Sequence, residues 1–132
     1  MKFASTRLIA ADIKTMVGFY ERLTGQAADW LAPVFAEIVT PSAALAIGSA
    51  ETVPLFAPES AEPAANRTAV LEFMVADVDA AYQRLKDKAQ VVHEPKQMPW
   101  GNRTAMFRDP EGTAVSLFTP VTEAAKARFG SR

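Results

Sequence analysis

The chain has no cysteine and one histidine. The first absence excludes disulfides, thiolate metal sites and a cysteine nucleophile. Neither charge is in excess: Lys and Arg total 14, Asp and Glu total 15, and the formal net charge is -1. A polyanion binder needs a concentrated basic face to displace counterions, and no Lys/Arg run occurs. Nucleic acid is therefore not an expected partner. No apolar run approaches the ~20 residues that span a bilayer. No apolar stretch follows Lys2 as a secretion signal would require, so no membrane role is expected and a cytoplasmic location is. No P-loop, no G-x-G-x-x-G and no Ser-His-Asp order is present. Asn66-Arg67-Thr68 and Asn102-Arg103-Thr104 match the glycosylation acceptor pattern and are read as chance.

What is present is a balanced globular composition, 49% hydrophobic and 22% charged. At 132 residues one domain is expected. Residues 3–11 read as a strand. Asp12 is placed to cap a helix from about Lys14 to Leu23, with Met16, Phe19, Tyr20 and Leu23 as one apolar stripe. Gly25 is placed to end it. Strand candidates follow at 28–31, 34–39 and 43–47, punctuated by Pro33, Pro41 and Gly48. Residues 50–66 hold Pro54, Pro58 and Pro63 and read as a linker, part of which packs through Leu55 and Phe56.

The pattern then restarts. Residues 69–76 read as a strand, Asp77 as a cap, and 78–88 as a helix with the stripe Val78, Ala81, Tyr82 and Leu85. Strands are expected at 91–97, 103–108 and 113–118. The sequence Asp109-Pro110-Glu111-Gly112 is a strong turn signal before the last of them. A short helix is expected over 122–129. Ile9-Ala10-Ala11-Asp12-Ile13 and Met74-Val75-Ala76-Asp77-Val78 are the same strand-to-helix junction, 65 residues apart. The fold class read from this repeat is α+β, two β-α-β-β-β modules in a single domain of residues 1–132. Module one covers about 1–49, the linker about 50–66, module two about 67–120, and a tail helix about 121–132.

Ala11-Asp12, then Gly18-Phe19-Tyr20-Glu21-Arg22-Leu23-Thr24-Gly25, then Phe107-Arg108-Asp109-Pro110-Glu111-Gly112 before a strand, occur in order on this doubled unit. In these features the chain resembles the vicinal oxygen chelate superfamily, which includes glyoxalase I, bleomycin resistance proteins and extradiol dioxygenases. The resemblance implies sheets curled around a small-molecule cavity and a homodimer. It also implies metal ligands, His, Gln or Glu, on the first and last strands of each module. Those positions are Ser5 and about Ala46 in module one, and Val70 and Ser116 in module two. None supplies an imidazole or carboxylate. No metal and no other cofactor is therefore expected, which puts the metal-dependent activities of the family in doubt.

The expected function is metal-free binding of a partly aromatic or apolar ligand, as in the bleomycin-resistance-like members. An enzyme with an atypical site, a lyase, isomerase or dioxygenase, is the alternative, and no catalytic residue is assigned. Arg7 and Glu72 hold equivalent positions, and either pair with each other or meet a polar ligand group. Trp100 in its loop and Trp30 could stack on a flat ligand or pack on the core. Met74, Met106 and Phe118 line an apolar wall or fill the core. Ser5 and Ser116 donate hydrogen bonds to a ligand or are neutral replacements. His93 reads as a surface residue.

Overall fold

The computed structural model describes residues 1–130. The chain divides into two compact units, residues 1–66 with 110–112, and residues 67–109 with 113 onward. In the first, β1 (Ser5–Ala10) leads to α1 (Ile13–Thr24). The meander β2 (Asp29–Ala32), β3 (Phe35–Val39) and β4 (Ala44–Ser49) follows. The strand order is β1-β4-β3-β2, with β1 parallel to β4 and the remaining pairs antiparallel.

The helix begins where the sequence says it should. Asp12 sits at φ -119°, ψ 93°, and its carboxylate accepts from the Thr15 amide at 3.2 Å and the Thr15 hydroxyl at 2.7 Å. These bonds hold the Asp12 carboxyl below its ordinary value. Gly25 ends the helix at φ 72°, a left-handed conformation that side chains resist, and its N–H donates to Glu21 O at 2.9 Å. The stripe Met16, Phe19, Tyr20 and Leu23 is buried, joined by Val17. Each such side chain removed from water contributes roughly 1.5–3 kcal/mol. Tyr20 meets Phe19 edge to face, ring centroids 5.0 Å apart, which is core packing. At the entry to α1, the Ala11 amide donates to Glu111 Oε2 at 2.9 Å and the Asp12 amide to the same oxygen at 3.4 Å.

Residues 50–56 are ordered rather than a free linker. A 3-10 turn over Ala50–Thr52 runs into α2 (Val53–Phe56). Thr52 and Val53 are the buried residues there, while Leu55 and Phe56 stay exposed. The expected packing is thus made mainly by Thr52 and Val53, with Phe56 contributing one face of its ring.

The second unit repeats the plan. It contains β5 (Val70–Met74), α3 (Val78–Leu85), β6 (Gln90–Gln97), β7 (Asn102–Arg108), β8 (Ala114–Pro120) and α4 (Glu123–Gly130), with the strand order β5-β8-β7-β6. Asp77 caps α3 by accepting from the Ala80 amide at 3.0 Å. Thr119 secures the same junction: its hydroxyl donates to Val75 O at 2.9 Å and accepts from the Val78 amide at 3.0 Å. Val78, Ala81 and Leu85 are buried, and the Tyr82 ring lies 6.0 Å from that of Phe107. The tail helix ends at Gly130; residues 131 and 132, included in the sequence-based helix, lie outside the described residues.

Candidate functional site

Each sheet has one face against its helix and one facing away. Residues opposite each other in register share a face, so the pairing assigns every side chain. In the first unit, Leu8, Ile47 and Ala36 pair in one row, on the face that packs against α1. Arg7 pairs with Ala46, Ala46 with Glu37, and Glu37 with Asp29, on the open face. Ser5 lies on that face too, opposite Ala44. The Arg7 guanidinium is stacked 3.8 Å above the Phe56 ring of α2. A cation held over a ring keeps its in-plane N–H donors available at the edge. Trp30 pairs with Ala36, which puts it at the outer end of the helix-side face, 44% exposed. It lies on the opposite face of the sheet from Ser5 and Arg7.

In the second unit the open face carries the row Glu72, Ser116, Met106, His93 and the neighbouring row Met74, Phe118, Thr104, Lys96. Five sequence-derived candidates are therefore brought onto one face: Glu72, Met74, Met106, Ser116 and Phe118. Glu72 and Met74 are exposed; Ser116 and Phe118 are buried. The Phe129 ring of α4 lies 4.9 Å from that of Phe118, so α4 closes over one end of this face.

Trp100 sits in the tight turn between β6 and β7, closed by Gly101 N–H to Met98 O at 2.9 Å, and is 58% exposed. Gly101 has φ 95°, and Thr122 and Ala125 occupy the space a Cβ would need. The Gly101 carbonyl accepts from the Val121 and Thr122 amides at 2.9 and 3.3 Å, which fixes the start of the tail against this turn.

Three residues of this face went unread in the sequence as candidates. Thr104 and Asn102 are buried, 6% and 5% exposed, and Thr104 Oγ1 and Asn102 Oδ1 have no hydrogen-bond partner among the described residues. Alternation along β7 from Met106 would have placed both beside it. His93 is half-buried and lies opposite Met106, with register shifts on both sides of it. Period-two reasoning does not carry through such irregularities. The titrations most clearly displaced belong to the framework: Asp79 is held low by the Arg103 guanidinium, 2.7 Å away at its nearest, and Arg103 is raised in return.

The donor set decides how these faces treat a metal ion. Ala46 and Val70 have no side-chain donor, and Ser5 and Ser116 offer only neutral hydroxyls. No group of three or more His, Cys, Asp or Glu suited to a metal ion occurs among the described residues. These residues do not fit a divalent ion at the strand positions where the family resemblance implies one.

The profile of the Glyoxalase/Bleomycin resistance protein/Dioxygenase superfamily matches residues 2–117. The chain belongs to this superfamily. A Bacillus subtilis (strain 168) protein, YraH, is 30% identical over 127 residues, covering 89% of this chain and 98% of its own. A solved glyoxalase/bleomycin resistance protein/dioxygenase from Nocardioides superposes with a TM-score of 0.76 at 24% identity, over 93% of this chain and 85% of that one. A glyoxalase/bleomycin resistance protein/dioxygenase family enzyme from Burkholderia phytofirmans PsJN gives 0.79 at 19% identity, over 92% of this chain and 100% of its own. The likeness to these two structures is one of fold. Two four-stranded mixed sheets with their helices are the glyoxalase-like plan. No described helix is long and apolar enough to cross a membrane.

Proposed function

We infer that the chain is a metal-free small-molecule binding protein of the bleomycin-resistance-like type, and that the open face of its second unit holds a partly aromatic ligand. The observation that carries this is the pair of buried, unpartnered polar atoms, Thr104 Oγ1 and Asn102 Oδ1, on a face otherwise built from Met106, Phe118, Met74 and Ser116. An unsatisfied buried polar group costs about 1–3 kcal/mol, which a ligand hydrogen bond would recover. The apolar neighbours supply area, and the polar atoms supply orientation. The donor-poor strand positions support binding without an ion. Antibiotic sequestration is one role such a face suits, and a cytoplasmic homodimer is the expected state.

A superfamily enzyme acting on a small metabolite is the second reading. It is favoured by the relative from Burkholderia phytofirmans described as an enzyme. Thermal-shift screening against aromatic antibiotics and small metabolites, with and without divalent metals, separates the two. A ligand that binds only the folded state raises the melting temperature by mass action. The binding reading expects a shift with a flat aromatic compound that is independent of metal. A shift that requires metal would move the enzyme reading to first place. Sedimentation of the free protein tests the homodimer, and a monomer at micromolar concentration would overturn it.

A further inference from the structure

We propose that the Nε2 atom of His93 is a hydrogen-bond acceptor on the second unit's open face, and that it recognises a hydroxyl borne on a flat aromatic ring. The inference rests on the open-face reading above and names the ligand class of that face.

The argument begins with the ring's own bond. His93 Nδ1 lies 2.8 Å from the carbonyl oxygen of Glu94. A carbonyl oxygen only accepts, so Nδ1 carries the proton in the neutral ring. The other nitrogen, Nε2, is then a lone-pair acceptor. The register places the residue opposite Met106, in line with Ser116 and Glu72, on the face turned away from α3. The ladder shifts between Val91 and His93 and again between His93 and Lys96. Such irregularities re-aim a side chain and are enriched beside binding sites. The residue as a whole is half-buried, while the bond at Nδ1 is exposed.

The surroundings specify the partner. Met106 is adaptable apolar packing, suited to a flat ring. Thr104, one row along, places its unpartnered hydroxyl on the same face. An acceptor at His93 beside the Met106 side chain suits a planar ligand with a hydroxyl at one edge. An ether of the same shape would leave the His93 lone pair without a donor, and that loss is where discrimination arises.

His93 is the only histidine in the chain, so its ring nitrogens give a single, self-assigned set of signals. Histidine labelled with nitrogen-15 is observed near about pH 8, where an ordinary imidazole is neutral. The probes are 2-naphthol and its methyl ether. The expected free protein shows Nδ1 protonated and Nε2 bare. Adding 2-naphthol shifts Nε2 more than Nδ1, and the ether binds about fivefold or more weakly, the worth of one hydrogen bond. His93→Phe brings the naphthol affinity down to that of the ether. Should that variant not fold, the comparison of the two probes on the unaltered protein decides alone. A bare Nδ1, or equal binding of both probes with Nε2 unmoved, overturns the inference. The open-face reading would survive that result if the Met106 and Met74 methyl signals still shifted with both probes. If neither probe moves those methyl signals up to its solubility limit, the inference and the open-face reading fall together.

Discussion

A threonine hydroxyl that is buried and unbonded is a cost with no structural return. At Thr104 the hydroxyl could be exchanged for a methyl of nearly the same shape, since no partner would be stranded. Thr104→Val is therefore expected to leave the thermal midpoint unchanged or raise it, by up to about 1 kcal/mol of stability. The same variant should bind an aromatic ligand of the open face several-fold more weakly. Calorimetric unfolding and a binding titration read the two effects separately. A marked loss of stability would mean that the hydroxyl has a structural role. Trp100 makes the opposite kind of test. It is 58% exposed at the tip of a tight turn, so truncation leaves no cavity in the core. Trp100→Ala should change stability by no more than about 0.5 kcal/mol. Any drop in ligand affinity then reports a contact with the ligand. A large drop in the melting temperature would instead assign the indole to packing.

Elements are held in place here by a few polar contacts whose failure has a readable sign. The Arg103 side chain of β7 grips Asp79 in the first turn of α3 with two bonds, at 2.7 and 2.8 Å. That contact lowers the Asp79 carboxyl below its unfolded value. A depressed carboxylate contributes stability above its unfolded pKa and loses it as pH falls through the folded one. The difference in melting temperature between the unaltered protein and Asp79→Asn should thus be present at about pH 6 and shrink as pH approaches 3. A difference that persists in acid would assign the effect to helix propensity rather than charge. Two glycines separate backbone strain from crowding. Gly25 and Gly101 both have positive φ, 72° and 95°, but a Cβ at Gly25 meets nothing within 4 Å while one at Gly101 collides with Thr122. Gly25→Ala should cost about 1 kcal/mol, and Gly101→Ala clearly more, because it also displaces the start of the tail. Equal losses in denaturant melts would show that Thr122 yields freely.

At the scale of the molecule, the repeat was legible because both copies keep the same chemistry at the same step. Asp12 and Asp77 cap their helices in the same way, and Arg7 and Glu72 face Ala46 and Ser116 at matching points of the two sheets. Alternation put Glu72 on the same face as Val70, while the strand register brings Glu72, Met74, Met106, Ser116 and Phe118 onto one face. Alternation was not enough for His93, whose strand is irregular on both sides, nor for Trp30, whose face depends on a register that no local pattern fixes. Phe56 as the seat of Arg7 was hidden as well, since proline-rich composition masked the short helix that carries it. The metal question follows from the same symmetry. The strand positions expected to hold an ion are equivalent in the two units, and each unit contributes one residue with no donor, Ala46 and Val70. In neither unit can the remaining neutral serine make up the loss, because a lone hydroxyl is too weak a donor to offset the dehydration of a divalent ion. Protein purified without chelator should therefore carry far less than one divalent ion per chain, and chelator should leave its melting temperature unchanged. Stoichiometric zinc, nickel, manganese or iron in elemental analysis would show that the ligands come from residues outside those four positions, and the reading of a metal-free binding protein would fail with it.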